Sequence, residues 1–223
     1  MASVITVDGP SGVGKGTVSE YLSDELQWNY LNSGALYRSI AWVAMHDSIE
    51  LKDTDGLESA SKNISFSMRD KKLLIEYKSK VIGSLIYNEE VAKTASKVAS
   101  NPKVRESIVS IQRLFKKEPG LVAEGRDMGS VIFPESELKI FLTASIETRA
   151  TRRYKQLKDR EFNVSLPALI KDLDARDKRD KSRENSPLVI PEGAFVMETD
   201  DLTIIDVKKI VKEKVNKTYG TNI

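Results

Sequence analysis

Val4-Ile5-Thr6-Val7-Asp8-Gly9-Pro10-Ser11-Gly12-Val13-Gly14-Lys15-Gly16-Thr17 is the stretch that decides the fold. Val4 to Val7 reads as a short buried strand and Gly9 to Gly16 as a glycine-rich turn. An amphipathic helix follows to about Leu26, with Val18, Tyr21, Leu22 and Leu26 at helical spacing. Strand, loop, lysine and helix in that order are the context of a phosphate-binding loop. A triphosphate concentrates several negative charges in a small volume. Glycines let the backbone curl so that successive N–H groups point inward, and the helix N-terminus adds unsatisfied donors and a partial positive charge. Lys15 brings a full charge to the β and γ oxygens. Gly9, Pro10, Ser11, Gly12, Val13, Gly14, Lys15, Gly16 and Thr17 are therefore the expected triphosphate-binding set. Gly16 stands directly after the lysine, where the common pattern has Ser or Thr. Thr17, one place later, is expected to reach magnesium through water or to bind a phosphate oxygen.

Outward from this unit, Tyr30-Leu31 ends a second strand and Ala35 to His46 returns to helix. Leu57 to Tyr87 breaks the alternation with a small β-rich insert: Ile64 to Met68 alternates with period two, and Leu73 to Tyr77 and Lys80 to Ile82 suit further short strands. Two helices follow, one from near Glu89 and one opened by Asn101-Pro102, a capping residue with proline at the first helical position. Leu121 to Ala123, Leu138 to Leu142 and Phe195 to Met197 are apolar runs suited to strands covered on both faces. A last helix starts near Thr203, with Ile204, Val207, Ile210 and Val211 expected inward. The predicted class is α/β: a parallel five-stranded sheet flanked by helices, with right-handed crossovers. Between Glu147 and Glu184 the chain is densely charged and poor in core residues, which predicts an excursion from the core. His46, Trp28 and Trp42 read as packing residues.

The composition excludes several functions. Of 223 residues, 40% are hydrophobic and 30% charged, the profile of a globular protein, and a formal net charge of +2 gives no electrostatic case for a nucleic-acid partner. There are no cysteines and one histidine, so thiolate chemistry and His-rich metal sites are out. No apolar stretch approaches the ~20 residues that span a bilayer. Met1-Ala2-Ser3 leads straight into the first strand without a charged leader, so the expected location is cytoplasmic, with no membrane partner.

A phosphate loop alone does not separate kinases from switch GTPases or motor ATPases. The acceptor side does. Asn32-Ser33-Gly34-Ala35-Leu36-Tyr37-Arg38 follows the second strand, Glu124-Gly125-Arg126-Asp127-Met128-Gly129 the third, and Ser96 and Arg105 lie on the paired helices. Loops after the carboxyl ends of parallel strands gather on one edge of a sheet. With the phosphate loop, and with Arg176-Asp177-Lys178-Arg179-Asp180 and Arg183, these strings resemble the bacterial-type cytidylate kinases, within the nucleoside monophosphate kinases of P-loop type. The resemblance covers nearly the whole chain. It implies one kinase domain: a core of about 1–34, 119–148 and 185–223, a mixed α/β monophosphate-binding part with its insert at about 35–118, and a helical lid at about 149–184. It also implies ATP as phosphoryl donor with Mg2+, CMP and dCMP as acceptors, and a monomer. Asn32 departs from the aspartate common at this place.

The residue chemistry runs the same way. Cytosine offers an amino donor at C4 and acceptors at N3 and O2, so its pocket needs a carboxylate and a cation; Asp127 and Arg105 have those characters, with Ser33 and Ser96 as further polar contacts. Arg38 and Arg126 suit the acceptor phosphate, because guanidinium matches phosphate geometry. By resemblance, Arg176 and Asp180 approach the sugar and Arg183 the phosphates. Lys15, Arg126, Arg176 and Arg183 form the expected catalytic set, and Arg149 and Arg153 join the ATP-binding residues as closing contacts. Taken singly, Arg126 and Asp127 also suit a turn cap, Arg105 a pairing with Asn101 or Glu106, the 149–183 segment a solvated helix face, and Ser96 an ordinary helix serine. The rival functions are a P-loop kinase for another small phosphorylated acceptor, a nucleotide switch without kinase turnover, and an RNA-binding module built on the basic segment.

Overall fold

The structure, a computed structural model, describes residues 2–159 and 164–223. Residues 160–163, within the expected lid, lie outside the described residues. Strand β1 (Val4–Asp8) is buried along its whole length, as an apolar run demands of a strand covered on both faces. It pairs in parallel with β6 (Leu121–Gly125) on one side and β7 (Leu138–Thr143) on the other. β2 (Asn29–Asn32) lies outside β6, and β8 (Phe195–Glu198) outside β7, giving the order β2-β6-β1-β7-β8 with every pairing parallel. This is the five-stranded sheet expected from the alternating pattern.

Two apolar layers cover the sheet. Ile5 and Val7 pack with Val18 and Leu22 of α1 (Lys15–Leu26) and with Val207, Val211 and Val215 of α8 (Ile204–Tyr219). Val4, Leu31, Leu121 and Ala123 join the other layer, with α2 (Ser33–His46), α4 (Glu89–Val98) and α5 (Pro102–Leu114). A fully buried Leu or Ile contributes about 1.5–3 kcal/mol, so these layers stabilise the packing of the sheet against its helices. α5 starts as its Asn101-Pro102 signal predicts: the Asn101 side-chain Oδ1 accepts from the N–H groups of Lys103 and Val104.

The insert carries an antiparallel sheet of β3 (Ile64–Arg69), β4 (Lys72–Tyr77) and β5 (Lys80–Val81), close to the expected strands. Its start differs: Thr54–Lys62 is a helix, α3, capped by Asp53 accepting from Gly56 N–H at 2.9 Å. Leu57 and Ala60 are its only buried apolar residues, too few to register as a helical stripe. Two other expectations are corrected. β8 is an edge strand with Val196 exposed, so it is covered less than a central strand. Ile204 opens α8 half-exposed at 46%, while Val215, two turns beyond Val207, takes the inward place. The charged segment folds as α6 (Ile146–Lys158) and α7 (Leu166–Ser182), which share a small apolar cluster of Ala150, Leu157, Leu169 and Leu173.

Register places the site. Asp8 lies opposite Gly125 and Phe141, and Asn32 opposite Glu124, so the phosphate loop, the turn after β6 and the start of α2 leave the sheet side by side at its carboxyl edge. Gly9 makes the exit from β1 possible: at φ +146°, a Cβ there would sit 2.2 Å from the Leu142 carbonyl oxygen.

Candidate active site

The phosphate loop wraps its own lysine. Gly12 and Gly14 turn through φ +78° and +96°, conformations that favour glycine, and the Lys15 ammonium donates to the carbonyls of Gly9 at 3.0 Å and Pro10 at 2.8 Å. Burial pushes the Lys15 pKa down, and the nearby Arg126 adds to the effect; Glu124 and Asp8 act against it. Gly12 to Val18 line a cleft of about 510 Å³ whose far walls are Arg38, Glu124, Arg152, Arg153, Gln156, Thr199, Leu202, Ile204 and Val207. The phosphate loop's glycines and Lys15, the cations Arg38, Arg152 and Arg153, and the apolar side chains of Leu202, Ile204 and Val207 thus line one cleft.

Glu124 escaped sequence reasoning as a residue with its own role. It is 6% exposed, accepts from the Tyr30 hydroxyl at 2.5 Å, and has its pKa raised by burial while Lys15 opposes. A Cβ on Gly16 would lie 3.4 Å from its Oε1. The side-chain-free Gly16 therefore leaves this carboxylate facing the cleft, and Thr17 lines the same wall. The available signal was a carboxylate ending an otherwise apolar strand, Leu121-Val122-Ala123-Glu124.

A second cleft, about 120 Å³, adjoins the first. Ser11, Ser33, Arg38, Ser96, Arg105, Arg126, Asp127, Arg176, Asp180 and Arg183 line it with Tyr37, Gly34, Gly125 and three alanines of the α4 region. Every residue expected on the acceptor side is among them, although they come from five separate stretches of chain. Five arginines face two aspartates, leaving an excess of three positive charges (5 − 2). The Arg105 Nη2 pairs with Asp127 Oδ2 while Nη1 donates to the Ala99 carbonyl at 3.2 Å, and both side chains are 4% exposed. Arg105 also lies over the Tyr37 ring. Arg126 Nε donates to Asp180 Oδ2 at 2.7 Å. Burial alone would raise Asp180, but Arg126 and Arg183 outweigh it and hold the carboxyl below its usual range. Arg38, Arg176 and Arg183 are each pulled down, by burial first and by neighbouring cations in addition. The Nε and Nη2 groups of Arg176 and Arg183 are buried with no hydrogen-bond partner among the described residues. Buried donors of this kind call for an acceptor, and the excess of arginines over aspartates around the cleft favours an anionic one.

The remaining expected residues are held by protein groups. Ser33 Oγ accepts from Gln112 at 2.6 Å, and Ser96 Oγ from Arg179 at 3.2 Å. Arg153 pairs with Glu89 at the start of α4 while lining the triphosphate-sized cleft. Arg149 lines neither cleft; its guanidinium donates to the Ala144 and Ser11 carbonyls and to Asp177. Asn32, the departure noted in the sequence, caps α2 by accepting from Ala35 N–H at 3.1 Å, a task Asn and Asp perform equally well. Asp8 lies at the centre. It accepts from the N–H groups of Met128 at 2.9 Å and Gly129 at 2.8 Å, which anchors the turn carrying Arg126 and Asp127 to the strand that feeds the phosphate loop. Burial raises its pKa to about 6, against those two hydrogen bonds.

A parallel sheet with a phosphate loop at its carboxyl edge, beside a second anion-seeking cleft, defines a P-loop kinase fold. Among solved structures, the chain is similar at that level to TT1252 from Thermus thermophilus (TM-score 0.50, 15% identity, 99% of each chain) and to a gluconokinase from Sinorhizobium meliloti 1021 (TM-score 0.50, 12% identity, 99% of this chain and 98% of that one). The cytidylate kinase family model matches residues 5–217. The cytidylate kinases of Aeromonas salmonicida (strain A449) and Colwellia psychrerythraea (strain 34H) are 43% and 44% identical to it, covering 99% and 92% of this chain and 96% and 92% of the relatives. The chain belongs to the cytidylate kinase family.

Proposed function

We propose that this protein transfers the γ-phosphoryl group of ATP to CMP and dCMP, giving CDP and dCDP. The observation that carries the reading is the position of Arg38, which lines both clefts. A triphosphate on the loop and a monophosphate among the acceptor-side arginines would meet there end to end. Phosphoryl transfer asks the protein chiefly for alignment and charge neutralisation. The acceptor phosphate oxygen is ionised at neutral pH, so no general base is needed.

In this reading Lys15 exchanges its two carbonyl partners for β and γ oxygens, and the phosphate charge favours its ammonium form, against the effect of burial. Arg38 and Arg126 grip the acceptor phosphate, Arg183 approaches the phosphates, and Arg176 and Asp180 approach the sugar. Contact of Asp180 with the 3′-hydroxyl leaves dCMP acceptable. The Arg105–Asp127 pair opens to take the base, with Asp127 accepting from the C4 amino group and Arg105 donating to N3 and O2, while Ser33 and Ser96 border the pocket. Uracil sets a carbonyl against the carboxylate, and a site built on such pairing rejects the wrong analogue by ~10⁴-fold. Mg2+ fits the oxygen donor set of Thr17 and Glu124; these residues would hold it beside the phosphates, whose charge it neutralises when bound. Among the described residues no cluster of three His, Cys, Asp or Glu side chains offers a cage of its own.

The acceptor cleft, at about 120 Å³, is smaller than the ~300 Å³ at which ligand pockets begin. In this reading α6 and α7, within the lid at about 149–184, open to admit a nucleotide. Reclosure brings Arg153, Arg176 and Arg183 onto the phosphates and excludes water. Among the described residues no helix is long and apolar enough to cross a membrane; we place the enzyme in the cytoplasm, as a monomer with both clefts built from one chain. The test is ADP release with CMP, dCMP, UMP and AMP in parallel. CMP and dCMP should drive turnover and UMP and AMP should not. ADP release that ignores the acceptor, or equal rates with AMP, would overturn the assignment.

A further inference from the structure

Arg149 is 4% exposed and uses three of its donors on three different elements. Nε donates to the Ala144 carbonyl at 3.1 Å, at the end of the β7 connection. Nη1 donates to the Ser11 carbonyl at 3.0 Å, in the phosphate loop, and Nη2 to Asp177 Oδ2 at 2.6 Å, on α7. Gly12 packs directly over it: a Cβ there would lie 3.5 Å from the Arg149 Cβ. Arg149 is the only hydrogen-bond partner of the Asp177 carboxylate among the described residues, and the other oxygen, Oδ1, is buried and unpartnered. On α7, Asp177 follows Arg176 and precedes Asp180 by one helical turn, and both neighbours line the acceptor cleft. One buried guanidinium therefore touches the backbone of the donor loop and the helix that carries the acceptor-side groups.

We propose that Arg149 and Asp177 are positioning residues, forming a clip that sets the α7 groups in register with the phosphate loop so that filling one cleft organises the other. Neither residue touches a nucleotide in this arrangement. A bidentate arginine on a backbone carbonyl and a carboxylate fixes both distance and angle, which a lysine point charge does not. Ser11 is the shared sensor: its carbonyl holds the clip while the residue lines the acceptor cleft. When a triphosphate draws the loop's N–H groups inward, Arg149 transmits the shift to Asp177, and α7 follows.

This rests on the phosphoryl-transfer reading above, and the experiment separates the two. Affinity for CMP is measured with and without a non-hydrolysable ATP analogue, for the wild type, Asp177→Asn and Arg149→Lys, alongside kcat and thermal stability. Asp177→Asn keeps the shape and removes the charge. The clip predicts that the factor by which the ATP analogue tightens CMP binding collapses towards one in both variants and kcat falls by about tenfold or more, while each nucleotide alone binds within about twofold of wild type. A wild type that makes no CDP would remove the underlying reading. An active wild type whose variants keep both the tightening factor and kcat, or lose both separate affinities in proportion to stability, would overturn the clip. If neither variant folds, the same titration on Asp177→Glu, which retains the charge and displaces it by one methylene, decides: an undiminished tightening factor rejects the proposal.

Discussion

The two clefts hold anions in opposite ways. The donor cleft relies on contiguous sequence: a glycine-rich turn whose backbone N–H groups and one ammonium, Lys15, arrive together because nine successive residues specify them. The acceptor cleft is assembled from five stretches of chain, and its cations are guanidinium groups partly neutralised by Asp127 and Asp180. One is a local device, the other a tertiary one. The donor cleft should accordingly fail at a single point, whereas the acceptor cleft should degrade in steps.

The largest effect is expected from Lys15→Met, with kcat falling by about 10³-fold in a coupled ADP assay, since Lys15 is the one cationic residue in the loop sequence Gly9 to Thr17. A smaller loss would place the arginines, and not the loop, at the centre of charge neutralisation. Next, Arg176→Ala and Arg183→Ala should each lower kcat by about 10²-fold and leave ATP affinity, measured by titration calorimetry, within about threefold. Unchanged kcat in both would contradict the lid's role.

Asp8 joins the two regions and provides a test in pH. Its folded pKa of about 6 lies above the ordinary 3.8, so the folded state binds the proton more tightly than the unfolded chain. Stability should therefore decline as pH rises from about 4 to about 6, by on the order of 3 kcal/mol. Asp8→Asn should remove that slope in urea melts, and a slope that persists in the variant would assign it to another carboxyl. The smallest effect belongs to the departure at the α2 cap: Asn32→Asp should change the melting stability by only a few tenths of a kcal/mol, and Asn32→Ala should cost about 1 kcal/mol.

This contrast also marks what the sequence made legible. The phosphate loop, the strands of the five-stranded sheet and the Asn101-Pro102 helix start depend on neighbours in the chain, and the structure matches them. The acceptor residues were recognisable by chemical type and resemblance, but their mutual pairing was not, because Arg105 meets Asp127 across 22 positions and Arg126 meets Asp180 across 54. Glu124, Tyr30, Arg179, Glu89 and Asp177 went unassigned for the same reason: each acquires a role only through a partner distant in sequence. α3 was hidden by a short apolar stripe, and the exposure of Ile204 by its place at the helix's first turn, before the inward face begins.

The central claim is that a phosphate in the arginine-lined cleft receives the phosphoryl group held on the loop. Chromatographic product analysis after mixing the protein with ATP, Mg2+ and CMP addresses it most directly. CDP and ADP should appear in equal amounts, and neither should form at a comparable rate when CMP is omitted. ADP that accumulates equally fast without CMP, with no CDP formed, would contradict the account.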